Sequence, residues 1–168
     1  MKSLDEVFIG VQYLLEQGIP AKRLYVNGFP SIALALQTGG LQLPGSAPSL
    51  IIQDELCRGI GRIGVSVHGA DEAKCREKEG ADYLLFGHIF ATNSKQGAPP
   101  RGLDQLRQLV NHVNIPVIAI GGMTPEKVSS VLDTGAAGVA VMSGIWEAAD
   151  PLGAVQAYYN ELRQIEVR

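Results

Sequence analysis

Residues 115–144 read IPVIAIGGMTPEKVSSVLDTGAAGVAVMSG, and this stretch decides the fold class. A nearly all-apolar run, 115–120, ends at Gly121-Gly122. Thr124 and Pro125 then open a helix as N-cap and first helical residue, and Gly135 closes it. A second apolar run, 138–142, empties into Ser143-Gly144. Short, continuous apolar strands separated by a helix are the mark of a parallel sheet covered by helices.

The same rhythm extends toward the N-terminus. RIGVSVH (62–68) is a β-branched run, and 83–86 within ADYLLFGHIF is another strand. Residues 24–27 and 40–43 supply two more, so six strands are expected. Seven helices alternate with them. The first carries Leu4, Val7, Phe8, Val11, Leu14 and Leu15 at helical spacing behind a Ser3/Glu6 capping box. Others are read over 30–37, 50–58 and 71–79, then through Leu103, Leu106, Leu109 and Val113, after Thr124, and along a C-terminal face of Leu152, Val155, Tyr158, Leu162 and Ile165. Periodicity alone does not separate a barrel from an open doubly wound sheet. Polar and glycine residues recur directly after strand C-termini, where barrel active sites collect, and this favours the barrel.

The 168 residues make a single domain, 1–168, with no linker or low-complexity tract. A closed eight-unit (β/α) barrel usually takes about 200 residues or more, so the length falls short of one. Fourteen basic against seventeen acidic residues leave a net charge of -3. That balance argues against a nucleic-acid partner or an anionic membrane. No apolar run reaches the roughly 18 residues of a membrane span. Two cysteines, Cys57 and Cys75, give no disulfide framework, and the expected setting is the cytoplasm.

Two glycine-containing turns, one βα unit apart, bring free backbone N–H groups together at one rim, which suits a phosphate. Gly122, Ser143 and Gly144 are the candidates, although such glycines also serve simply to make tight turns. His88 follows a strand end beside Gly87, placed either for proton transfer near neutral pH or as a rim histidine bonded to a carbonyl. Ser66, deep in its strand, is a better contact candidate than His68 at the end. No ligand-spaced cluster accompanies the histidines, so no metal is expected. Thr92, Asn93, Ser94 and Lys95 lie in the long loop 91–102, either a lid over an anion or a solvated loop.

Together RIGVSVH, ADYLLFGHIFATNSKQGAPPRG, IPVIAIGGMTPEKV and GVAVMSGIWEAADPL resemble the thiamine-phosphate-synthase superfamily, and within it most closely the TenI branch. The resemblance implies a (β/α)8 barrel and a thiazole tautomerase, an isomerase that aromatises a carboxythiazole phosphate without a cofactor. It carries an acid/base histidine onto His88 and phosphate-binding turns onto Gly122 and onto Met142 with Ser143. The synthase branch implies a different set: a Thr-x-Thr-Lys loop, an Asn-Asp pair and a second Asp for magnesium diphosphate. Lys95 and Asn27 match it, whereas Gly28 and the QLPG segment at 42–45 lack the carboxylates. A synthase-like transferase is therefore the alternative, and a non-catalytic TenI-type regulator that binds the thiazole phosphate is a third. The resemblance also implies a strand, a helix and a second strand ahead of Ser3. Six βα units then stand where eight are implied, an apparent N-terminal truncation. A second subunit closing the gap, hence a homo-oligomer, or an upstream start is expected.

Overall fold

The computed structural model describes residues 2–49, 57 and 59–166. Its sheet has six parallel strands in sequential order: β1 (Tyr25–Asn27), β2 (Gly40–Leu43), β3 (Arg62–Val67), β4 (Tyr83–Gly87), β5 (Val117–Ile120) and β6 (Gly138–Ala140). Registry runs Val26↔Leu41, Leu41↔Ile63, Val65↔Leu84, Leu84↔Val117 and Ala119↔Val139. Because strand side chains alternate, this registry sends Val26, Leu41, Leu43, Ile63, Val65, Val67, Leu84, Phe86, Val117 and Ala119 to one face, where all are buried.

That face is covered by α1 (Leu4–Glu16), α2 (Pro30–Ala35), α3 (Ala70–Lys78), α4 (Gly102–His112), α5 (Val128–Leu132), α6 (Ser143–Trp146) and α7 (Pro151–Glu166). Helix α4 shows how the sequence builds the layer: Leu106 and Leu109 are spaced to fall on its inner side, and both are buried. Helix α1 begins with the expected capping box, Ser3 Oγ accepting from Glu6 N and Glu6 Oε2 from Ser3 N. Beside the core, the buried guanidinium of Arg76 donates to the carbonyls of Gly45 and Ala47 and pairs with Glu79. It ties α3 to the segment after β2.

The opposite face is concave. One cavity of about 440 Å³ at the N-terminal strand ends is lined by Tyr25, Gln42, Arg62, Tyr83, Leu85, Ile118 and Ala140, a residue or more from every strand. A flat sheet cannot gather all six strands around one space, so the sheet curls into a half-barrel with helices outside. Among the described residues β1 and β6 each pair on one side only. This is the expected barrel-type α/β architecture with six βα units.

Several boundaries differ from the sequence reading. Strand β5 starts at Val117 rather than 115, since Pro116 has no N–H to add to the ladder and contributes only its carbonyl, to Leu84 N. Thr124 and Pro125 open a 3-10 turn, Pro125–Lys127, and α5 begins only at Val128. Strand β6 stops at Ala140, because Val141 and Met142 leave the ladder for the turn into α6. The helix expected over 50–58 falls mainly outside the described residues. No disulfide joins Cys57, which is buried, to the exposed Cys75. No described helix is long and apolar enough to cross a membrane.

Candidate active site

At the C-terminal ends of the strands lies a cavity of about 280 Å³. It is walled by Ser66, Val67 and His68 from β3 and its end, Leu85, Gly87 and His88 from β4, and Thr92, Ser94 and Lys95 from the following loop. The turn Gly121–Gly122–Met123 after β5 and the segment 140–144 after β6 complete it. The volume lies just below the usual range for small-molecule sites.

The two glycine turns meet here as the sequence implied. Among the described residues no backbone acceptor outside the helices and strands takes the N–H of Gly122, Ser143 or Gly144. Ser143 and Gly144 open α6, where the first N–H groups have no partner within the helix. Gly121 and Gly122 have φ of +99° and +63°. A Cβ on Gly121 would lie 2.3 Å from His88 Cβ, and one on Gly122 2.4 Å from the Ala91 carbonyl oxygen. These glycines therefore serve close approach as well as the turn: the chain leaving β4 lies directly against the turn after β5, with Ile89 N bonded to Ile120 O and Phe90 N to Gly121 O.

Side chains behind the turns hold them. The Tyr158 hydroxyl from α7 donates to Met123 O at 2.8 Å, and a Cβ on Gly144 would come within 2.6 Å of that hydroxyl. Tyr158 thus knits the first turn to the second, and burial raises its phenol pKa. Lys127 Nζ donates to Gly122 O at 2.9 Å and stands 4.6 Å from the centroid of the Phe90 ring. Next to it, a hydrogen bond from Thr124 lowers the Glu126 carboxyl pKa.

His88 follows a cis Gly87–His88 peptide, and its Nε2 is 3.3 Å from the Ala98 carbonyl oxygen in the loop. Within that loop Asn93–Lys95 forms a 3-10 turn, with Thr92 Oγ1 accepting from Ser94 N. Ser66 Oγ is bonded by Gln42 Nε2 at 3.1 Å. Of the sequence candidates, His88, Gly122, Met142, Ser143, Gly144, Ser66, Thr92, Ser94 and Lys95 line the cavity. Asn27 and Asn93 are exposed and do not. Gly121 lines it without having been a candidate, though legible as half of a glycine pair, and His68, just beyond β3 and ranked below Ser66, lines it as well.

The lining contains no carboxylate. Among the described residues no group of three or more His, Cys, Asp or Glu side chains is placed to hold a metal ion. Hard divalent cations need several oxygen ligands, so the described residues lining this cavity do not fit the magnesium diphosphate site that the synthase branch implies.

A curled parallel sheet with helices outside it and a carboxylate-free cavity at its C-terminal strand ends defines a barrel-type α/β protein. The chain belongs to the thiamine monophosphate synthase family, whose profile matches residues 11–145. It is 38% identical over 141 residues to the thiamine-phosphate synthase of Pyrococcus furiosus, covering 84% of this chain and 66% of that one. To the thiamine-phosphate synthase of Syntrophomonas wolfei it is 37% identical over 153 residues, covering 90% of this chain and 70% of that one. It spans about two thirds of the length of these curated relatives, and 59% of the synthase of Clostridium acetobutylicum. Among solved structures, thiamine phosphate pyrophosphorylase from Pyrococcus furiosus superposes with a TM-score of 0.82 at 32% identity, covering 98% of this chain and 80% of that one. A 3-hexulose-6-phosphate synthase, at TM-score 0.65 and 21% identity, covers 79% of this chain and 66% of that one and shares the fold.

These relatives correct the expected reaction class. They are synthases, which are transferases, so the isomerase reading drawn from the TenI-like segments does not stand. The physical reason is that those segments, FGHIF and AIGGMTP among them, build the pocket wall and turns. A pocket wall constrains the ligand's shape and charge, not the reaction performed on it.

Proposed function

We propose that the cavity binds a phosphorylated thiazole as the acceptor in a synthase-class transfer, its ring nitrogen forming a bond to the carbon of a pyrimidine diphosphate donor as the bond from that carbon to diphosphate breaks. One observation carries this reading: the turns 121–123 and 142–144 border the same small cavity, which Thr92, Ser94 and Lys95 also line. A phosphate seated at the turn N–H groups accepts hydrogen bonds from groups already oriented, so little reorganisation is needed on binding. The Lys95 ammonium, on a loop that lines the same cavity, adds positive charge beside that phosphate. His88 and Ser66 then border the ring. Fixing the ring fixes the direction in which its nitrogen meets the donor carbon.

A second reading rests on the carboxylate-free lining: the chain binds the thiazole phosphate without turning it over. Both readings are tested by giving the purified chain thiazole phosphate, pyrimidine diphosphate and magnesium while measuring thiamine phosphate by chromatography and thiazole phosphate binding by calorimetry. Product formed by the wild type and lost in Lys95→Ala supports the transferase. Binding without product supports the second reading. Neither binding nor product overturns both.

A further inference from the structure

Arg101 does not itself line the cavity, yet its guanidinium bonds two residues that do and gathers three elements of the site. Nε donates to the Gly87 carbonyl at 3.0 Å and Nη1 to the His68 carbonyl at 2.6 Å, one at the end of β4 and one just beyond β3. Its guanidinium carbon stands 5.5 Å from the centroid of the Phe86 ring. Its own backbone N donates to His88 O, and the next residue, Gly102, donates to Ile89 O, both at 3.0 Å. Loop 90–100 is therefore a closed Ω-shaped excursion whose two feet are bonded together, with Arg101 at the second foot. From inside that excursion the Ala98 carbonyl reaches back to His88 Nε2.

A carbonyl only accepts, so this contact requires the hydrogen on Nε2 and leaves Nδ1 bare in the neutral ring. We propose that Arg101 is a positioning residue of the site: by bridging the ends of β3 and β4 from the foot of the loop, it sets the loop and, through Ala98, the placement and tautomer of His88. The fork of a guanidinium is what the task needs. Two carbonyls on neighbouring strands, one at Nε and one at Nη1, match its rigid, planar donors, whereas a lysine ammonium is a single point on a flexible stem. The consequence for ligand binding rests on the proposed phosphate site; the consequence for His88 does not.

The test is a long-range proton–nitrogen correlation spectrum of the histidine rings in the full ligand-free chain above pH 8, with His112 as internal reference. Wild-type His88 is expected in the Nε2–H form. In Arg101→Ala and in Arg101→Lys the signal is expected to move toward the averaged two-tautomer position, while His112 and the far-ultraviolet circular dichroism stay in place. Thiazole phosphate affinity, measured in parallel, is expected to fall about tenfold in both variants as the loop loses its set position. Wild-type His88 found in the Nδ1–H form overturns the proposal without any variant, so a poorly folding Arg101→Ala does not shield it. An unchanged His88 spectrum in Arg101→Ala, or full restoration by lysine, also overturns it. If the tautomer shifts as expected but thiazole phosphate binds to none of the proteins, the functional reading fails and the positioning role stands.

Discussion

Replacing Gly121 with alanine tests whether the turn after β5 and the histidine after β4 share one tightly packed space. At φ +99° an L residue is strained, at roughly 1–3 kcal/mol. The new methyl would also stand 2.3 Å from His88 Cβ and 2.7 Å from its Cα. Carbon atoms in ordinary contact sit at about 3.5–4.0 Å, so His88 must retreat by roughly 1 Å or more, an overpacking cost of about 1–3 kcal/mol. Gly18 provides the control, because it has φ +84° with nothing within 4 Å of a built Cβ. Gly18→Ala therefore carries the backbone strain without the collision, at about 1–2 kcal/mol. For a chain of this size each kcal/mol is worth roughly 2–4 °C in Tm, so Gly121→Ala is expected to melt about 4–24 °C below the wild type and clearly below Gly18→Ala. Thermal melts by circular dichroism, with thiazole phosphate titrations of the same samples, make the comparison. Equal losses of Tm in the two variants, or wild-type ligand affinity in Gly121→Ala, would refute the reasoning.

Tyr158→Phe removes the donor to the Met123 carbonyl and is expected to lower stability by about 1–2 kcal/mol, read as a drop of a few degrees in Tm. It should also weaken thiazole phosphate binding, since the two turns lose their common tie; a binding curve unchanged from the wild type would separate Tyr158 from the site. The Tyr83 phenol, pushed up to about 12 mainly by burial with Tyr25 and Asp82 adding to it, is favoured neutral in the folded chain. Its contribution to stability is fully present below the unfolded phenol pKa of about 10 and is lost as the pH climbs toward 12. Tyr83→Phe is expected to reduce the fall in denaturation midpoint between pH 9 and about 11.5, a measurement in which parallel curves for the two proteins would count against a buried neutral phenol.

The parts of this molecule written in local sequence were the parts legible in it. The run at 115–120 and its glycine pair located a strand end and a turn, and the Ser3/Glu6 spacing located a helix start, because each depends on residues within four positions. GLQL at 40–43 marked β2 to the residue. What was not legible depends on distant groups. Arg101 meets a carbonyl 33 residues away, and Tyr158 one 35 residues away. Neither contact leaves a trace in periodicity or spacing. Asn27 closes a three-residue strand at the sheet's edge, and Asn93 lies in a 3-10 turn; both are exposed. A position inside a motif did not bring either to the cavity. The reaction class was misread for a related reason, since the segments most like the TenI branch build the cavity wall and its turns, and a wall does not fix the reaction performed in it.

If the turns after β5 and β6 form one anion site beside the loop carrying Lys95, thiazole phosphate must perturb both turns and that loop together. A backbone amide chemical-shift titration of the nitrogen-15-labelled chain with thiazole phosphate tests it most directly. Saturable shifts concentrated at Gly122, Ser143, Gly144 and Lys95, with the amides at the N-terminal strand ends unmoved, are predicted. Saturable shifts centred on the concave cavity around Tyr25 and Tyr83, or no saturable shift at all, would contradict it.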